Sequence, residues 1–154
     1  SDVPHIFKAN VFIKHSQLFR MAYLLLGGKH VYQVSSLEHV MKVKFGAGFD
    51  FADLISNPDI PKVAVVATSY SAPLSTTLFC NYQVTKESRE KNKHMSFDSQ
   101  VEVYRGLTAS AAAPIYFSPY RIGETTYVDG GITANNPAEI ALLEAERLWP
   151  SREL

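Results

Sequence analysis

The chain has 154 residues, the length of one ordinary domain, and 46% of them are hydrophobic, which supports a buried core and excludes a disordered chain. Fifteen basic and fifteen acidic residues cancel to a formal net charge of zero, so no basic field is available to recruit nucleic acid by charge. No stretch reaches the roughly eighteen apolar residues that a membrane span needs, no secretory signal is legible, and the lone Cys80 cannot form an internal disulfide, in keeping with a reducing, intracellular compartment.

Near the start, Val11-Phe-Ile13 reads as a short strand and Gln17 to Leu26 as a helix stopped by Gly27-Gly28. Gly27-Gly28-Lys29 lacks the spacing of a phosphate-binding loop, so a plain helix stop is the better reading. Val31-Tyr-Gln-Val34 is extended. Ser35 and Glu38 form a capping-box pattern that predicts a helix through about Lys44. Asp50 is placed to cap a short helix over Phe51 to Ser56, ended by Asn57-Pro58. Val63-Ala-Val-Val-Ala-Thr68 is a continuous apolar run, the pattern of a central strand covered on both faces. Thr76 to Tyr82 is the next strand. Residues 85 to 97, rich in Lys, Glu and Arg, read as a polar surface loop.

Asp98 or Ser99 can cap a helix across Gln100 to Ala112. At ~100° per residue, Val103, Tyr104, Leu107 and Ala111 share one stripe of it. Pro114 ends it after a run of small residues, in which Ser110 is read as a packing residue. Ile122 to Val128 approaches as a hairpin through Gly123. The last helix runs from Ala138 to about Trp149, with Ala141, Leu142, Ala145, Leu148 and Trp149 on one arc. This order predicts a three-layer α/β domain with a mainly parallel sheet. The strands are few for such a sheet, so it is expected to be incomplete, with Val63 to Thr68 or its neighbours exposing an unpaired apolar edge.

The chemistry converges on Thr126-Tyr-Val-Asp-Gly-Gly-Ile-Thr-Ala-Asn-Asn-Pro137. Thr126 to Val128 favour a strand. Gly130 and Gly131 permit positive φ and a tight turn, which leaves Asp129 at a strand's carboxyl end, where α/β folds place their sites. Asn136 then caps a helix with Pro137 in its first position. On spacing alone, an acidic turn between strand and helix is the better reading of the segment.

Three segments carry a resemblance. Tyr127 to Ala138 resembles the Asp-Gly-Gly segment of the patatin-like lipid acyl hydrolases, most of all their calcium-independent phospholipase A branch. Ala109-Ser-Ala-Ala-Ala-Pro-Ile-Tyr-Phe117 is similar to the small-residue helix end and Ala-Pro-x-x-Phe before it, and Phe79-Cys-Asn-Tyr82 to the family's Phe-x-Asn-Tyr strand. Together they cover roughly residues 60 to 150.

The resemblance implies a patatin-like fold and a Ser-Asp dyad. A serine on a Gly-x-Ser-x-Gly elbow attacks a fatty-acyl ester, and an aspartate takes the proton. By this resemblance Asp129 is the base, and Gly130 and Gly131 shape the turn beside the substrate. The implied substrate is a glycerophospholipid or another acyl-ester lipid, reached by an intracellular protein through peripheral membrane contact. No cofactor is implied. No glycine of the chain is followed two positions later by serine, so the elbow is absent from it. Residues 1–154 are therefore expected to be the carboxyl-terminal part of a catalytic domain, with the serine elbow upstream of residue 1. The alternative is a non-catalytic lipid-binding patatin-like domain. His5, His15, His30, His39 and His94 show no metal-ligand spacing, so no metal is expected. Neither a dinucleotide loop nor an EF-hand is present.

A base without an attacking group has nothing to activate. The purified chain is predicted to leave phospholipid and nitrophenyl esters intact. Turnover that Asp129→Asn abolishes would reveal a different nucleophile.

Overall fold

The computed structural model describes residues 30–91 and 94–150. The elements expected at 11–13 and 17–26, the glycine stop after them, and the histidines at 5 and 15 lie outside the described residues. The elements in order are Val34–Phe45 (α1), a 3-10 turn at Ala52–Leu54, Ala64–Ser69 (β1), Ser75–Cys80 (β2), Lys86–Lys91 (α2) and Met95–Asp98 (β3). Val103–Ser110 (α3), Tyr120–Ile122 (β4), Thr125–Asp129 (β5), Gly131–Ala134 (α4) and Ala138–Leu148 (α5) follow.

Five strands form one sheet in the order β3-β2-β1-β5-β4, with the apolar β1 at its centre. The direction of the strands differs from the mainly parallel expectation. β1–β2, β1–β5 and β4–β5 are antiparallel, and β2–β3 is parallel, so the sheet is mixed. Connection length explains the pairings of consecutive strands. Residues 70–74 between β1 and β2, and Gly123-Glu124 between β4 and β5, are too short for a crossover. Gly123 supplies the positive φ, +57°, that the second turn needs. The stretch 81–94, including α2, is long enough to return the chain parallel.

β3 and α2 occupy the stretch expected as a polar loop. Met95 and Phe97 alternate with Ser96 and Asp98, and Phe97 turns into the core. Four residues of alternation are easily lost in a charged neighbourhood.

The two faces of the sheet carry different cores. On one, Ala67, Phe79 and Tyr127 meet Phe51, Ala109 and Tyr120. The Phe79 ring lies 6.3 Å from Phe51 and 5.3 Å from Tyr127, the latter edge to face. On the other face, Leu78, Cys80 and Phe97 are covered by Ile140 and Leu148 of α5. Helices on both faces make the three layers expected of an α/β domain.

α3 lies between α1 and the sheet, so its buried residues, Tyr104, Gly106, Thr108 and Ala109, go round more of the helix than the predicted stripe. Of that stripe only Tyr104 is fully buried. The predicted capping box at Ser35 and Glu38 does not form. Gln33 precedes α1 without a side-chain cap, and Glu38 accepts a 2.6 Å hydrogen bond from the Tyr120 hydroxyl instead. Arg105 Nε donates to the same hydroxyl at 3.3 Å. A buried phenol must be paired, and this one ties α1, α3 and β4 together. Burial, then the bond to Glu38, pushes the Tyr120 phenol well above the usual tyrosine range. At the 3-10 turn the roles reverse as well: the Asp50 N–H donates to Asp53 Oδ2, 2.7 Å away, rather than Asp50 capping a helix.

α5 departs from its predicted arc. Leu142 and Trp149 are 56% and 41% exposed, and the helix turns Ile140, Glu144 and Leu148 inward. Glu144 is buried and is ion-paired with Arg147. That pairing makes an inward carboxylate tolerable.

Gly106 is where α3 approaches the aromatic core most closely. A Cβ there would lie 2.7 Å from Phe51 Cε2 and 3.2 Å from Phe79. Gly106→Ala is predicted to cost about 1–3 kcal/mol by overpacking, despite alanine's better helix propensity. Urea denaturation measures it, and a stabilised variant would contradict the packing.

Candidate active site

β5 delivers Asp129 to the end of the sheet, and three hydrogen bonds, two between main chains and one from a side chain, fix it there. The Asp129 N–H donates to Ala112 O at 3.1 Å, and the Gly130 N–H donates to Ser110 O at 3.3 Å. On the other side, Thr68 Oγ1 donates to the Asp129 carbonyl at 2.9 Å. The Ala109–Ala113 segment and β1 therefore grip the strand end from opposite sides.

The glycines act differently from the sequence expectation. Gly130 is right-handed helical, φ −60° and ψ −25°, and Gly131 begins α4, so positive φ is not used. Gly130 is required by space. A Cβ on it would lie 2.3 Å from the Val66 carbonyl oxygen. Gly131 carries the polar contact: its N–H donates to Asp129 Oδ1 at 2.7 Å. Among the described residues this is the one donor on the half-buried carboxylate.

The place where β5 ends also makes the cleft. β5 pairs with β1 only at Ala67, Thr68 and Ser69. Beyond Asp129 the chain turns off into α4, and Ala64 to Val66 have a strand neighbour on the β2 side alone among the described residues. The unpaired edge expected of β1 is thus confined to half of it. A cleft of about 390 Å³ opens there, lined by Val65, Val66, Ser110, Asp129, Gly130 and Asn135, among others. Apolar strand residues form its wall and the carboxylate stands at its rim.

Ser110 lies in the same cleft as Asp129, at the end of α3, but its hydroxyl makes no hydrogen bond to the carboxylate. Cys80 is buried on the opposite face of the sheet, and burial pushes its thiol up to about 11, so it is not a nucleophile at neutral pH. His39 and His94 are exposed and His30 is half-buried. Among the described residues no group of three or more His, Cys, Asp or Glu is placed to hold a metal ion. No helix among them is long and apolar enough to cross a membrane.

Asn136 and Pro137 begin α5 one residue out of the predicted register. Pro137 is the N-cap, and Asn136 Oδ1 accepts from the Ala138 N–H at 3.2 Å. The sequence reading passed over Thr68 and Thr133, whose hydroxyls meet at 2.9 Å beneath Asp129. The available signal was Thr68 itself, a hydroxyl at the end of an otherwise apolar central strand, which needs a partner once buried.

With a strand-end carboxylate, a close-packed glycine and an apolar cleft in place, the comparisons with known proteins define the class. The Patatin-like phospholipase family model matches residues 5–142, and the chain belongs to that family. The match begins well before the stretch of roughly residues 60 to 150 over which the resemblance was legible. The chain is 30% identical over 119 residues to human calcium-independent phospholipase A2-gamma, covering 77% of this chain and 15% of that protein. It is 29% identical over 168 residues to Arabidopsis thaliana phospholipase A I, covering 90% of this chain and 12% of the relative. An Escherichia coli cGAMP-activated phospholipase is 30% identical over 119 residues, covering 76% of this chain and 30% of its own length. The chain thus spans about 15% of the length of the mammalian relative. No solved structure gives a significant match.

The two glycines should respond differently to alanine. Gly130→Ala drives a methyl into a main-chain carbonyl that cannot swing away, and a loss above ~3 kcal/mol is predicted. Gly131→Ala meets side-chain tips, Asp129 Oδ1 at 3.0 Å and Asn135 Oδ1 at 3.4 Å, and should change stability by less than ~1 kcal/mol. Chemical denaturation of both variants checks the order, and equal losses would contradict it.

Proposed function

We propose that this chain is the base-bearing part of a lipid acyl hydrolase domain of the phospholipase A type. The reaction is hydrolysis of a fatty-acyl ester of a glycerophospholipid, giving a fatty acid and a lysophospholipid. Asp129 takes the proton of a serine that sits on a Gly-x-Ser-x-Gly elbow in the parent protein, upstream of residue 1. The observation that carries this reading is the placement of Asp129: a half-buried carboxylate, held by Gly131, at the rim of an apolar cleft. Family membership supports the reaction class.

A base must come within hydrogen-bond reach of the hydroxyl it activates. The half-edge of β1 left open at Ala64 to Val66 gives a serine-bearing segment access to that reach from the cleft. Gly131 occupies one carboxylate oxygen, leaving the other for the serine. Asp129 would serve as base in acylation and return the proton to the departing lysophospholipid. It would then take a proton from water in deacylation. The apolar cleft wall suits an acyl chain, and the lipid is met by peripheral membrane contact of an intracellular protein. The chemistry needs neither metal nor cofactor.

Asparagine keeps the shape of Asp129 and can still accept from Gly131, but it cannot take a proton. In the parent protein, Asp129→Asn is expected to cut kcat by at least ~10²-fold with an unchanged melting temperature. A fluorophosphonate probe should label one serine upstream of this chain. Wild-type turnover by the folded variant would remove Asp129 from catalysis. A parent that lacks a reactive serine would be a lipid-binding domain instead.

A further inference from the structure

The Asp129–Gly130 peptide is held on both of its polar atoms. Its N–H donates to the main chain at Ser110, and its carbonyl accepts from the Thr68 hydroxyl. Thr68 is fully buried in the central strand. A carbonyl can only accept, so the single Thr68 proton is committed to it, and Thr133 Oγ1 must be the donor in its 2.9 Å contact with Thr68 Oγ1. The chain of bonds runs from α4 through Thr133 and Thr68 to the Asp129 carbonyl. α4 also presents the Gly131 N–H to the Asp129 carboxylate. The main chain and side chain of one residue are thereby locked to the same short helix.

We infer that Thr68 is a positioning residue for Asp129: through its bonds to the Asp129 carbonyl and to Thr133 it fixes the turn into α4 and so the direction of the carboxylate. This rests on the base role proposed for Asp129. Register supports it. Thr68 stands opposite Val128, while Asp129 stands opposite Ala67, so the two side chains lie on opposite faces of the sheet. Thr68 therefore cannot reach the reacting atoms from its own face and acts through the peptide it holds. Of the groups bonded to the Asp129 N–H, the Asp129 carbonyl and the Gly130 N–H, Thr68 alone contributes a side chain, so it is the one that substitution can remove.

The test uses the parent protein with Thr68→Val, Thr68→Ser, Asp129→Asn and the Thr68→Val, Asp129→Asn double variant. Valine keeps the volume and removes the hydroxyl; serine keeps the hydroxyl. Thr68→Val should lower kcat at least ~10-fold with KM unchanged, because a misdirected base costs rate rather than binding. Thr68→Ser should stay within about twofold of wild type, and Thr68→Val should cost little further once Asp129 is asparagine. Amide exchange, read without substrate, should speed up at Gly130 at least ~10-fold in Thr68→Val while Leu78 in β2 is unaffected. A wild-type kcat in Thr68→Val, a loss that adds fully to that of Asp129→Asn, or equal losses in the serine and valine variants would each overturn the inference. Wild-type turnover by Asp129→Asn would sink the base role itself, with Gly130 exchange still reporting whether Thr68 holds the peptide.

Discussion

The structure around the site depends on one close approach. Where β5 ends, Gly130 passes so near the Val66 carbonyl of the central strand that no side chain fits between them. That contact lets α4 begin directly from the strand and cross the neighbouring strand. The polar consequences follow from it. α4 brings Thr133 to Thr68 on one side of the sheet and the Gly131 N–H to the Asp129 carboxylate. A chain that stood one side chain further off would have to leave the sheet before turning, and the carboxylate would lose both its rigid mount and its donor.

The same departure of β5 from β1 produces the cleft. A strand that continued past Asp129 would cover Ala64 to Val66 and leave no opening. Ending it there exposes a short apolar edge beside a single carboxylate.

Away from the site, several buried polar groups are paired across elements. Tyr120 links Glu38 and Arg105 across α1, β4 and α3, and Glu144 turns inward on α5 with Arg147 beside it. These links hold the helical layers at fixed distances from the sheet. Thr108 satisfies its hydroxyl on the Tyr104 carbonyl one turn back, which allows a polar residue at zero exposure in α3. Each pairing spares the cost of a buried unsatisfied group.

The sequence by itself determined what depends on neighbours along the chain. The apolar run at 63–68 read as a covered strand; Ala64–Ser69 is the central strand, buried in its second half and open at its start. Thr126 to Val128 before two glycines placed Asp129 at a strand's end, where it is found. Family resemblance in three ordered segments was legible because those segments are local. Tertiary structure decided what depends on distant partners. Ser35 and Glu38 read as a cap, yet Tyr120, far along the chain, competes for Glu38 and takes it. Met95 to Phe97 read as loop, yet β2 offers a free edge on which so short a strand can pair. Gly130 read as a turn glycine, whereas its reason is the Val66 carbonyl, and Thr68 had no visible role until Asp129 and Thr133 were brought to it. Local propensity is written in adjacent residues; close approach and hydrogen-bond partnership are properties of residues that only folding makes adjacent.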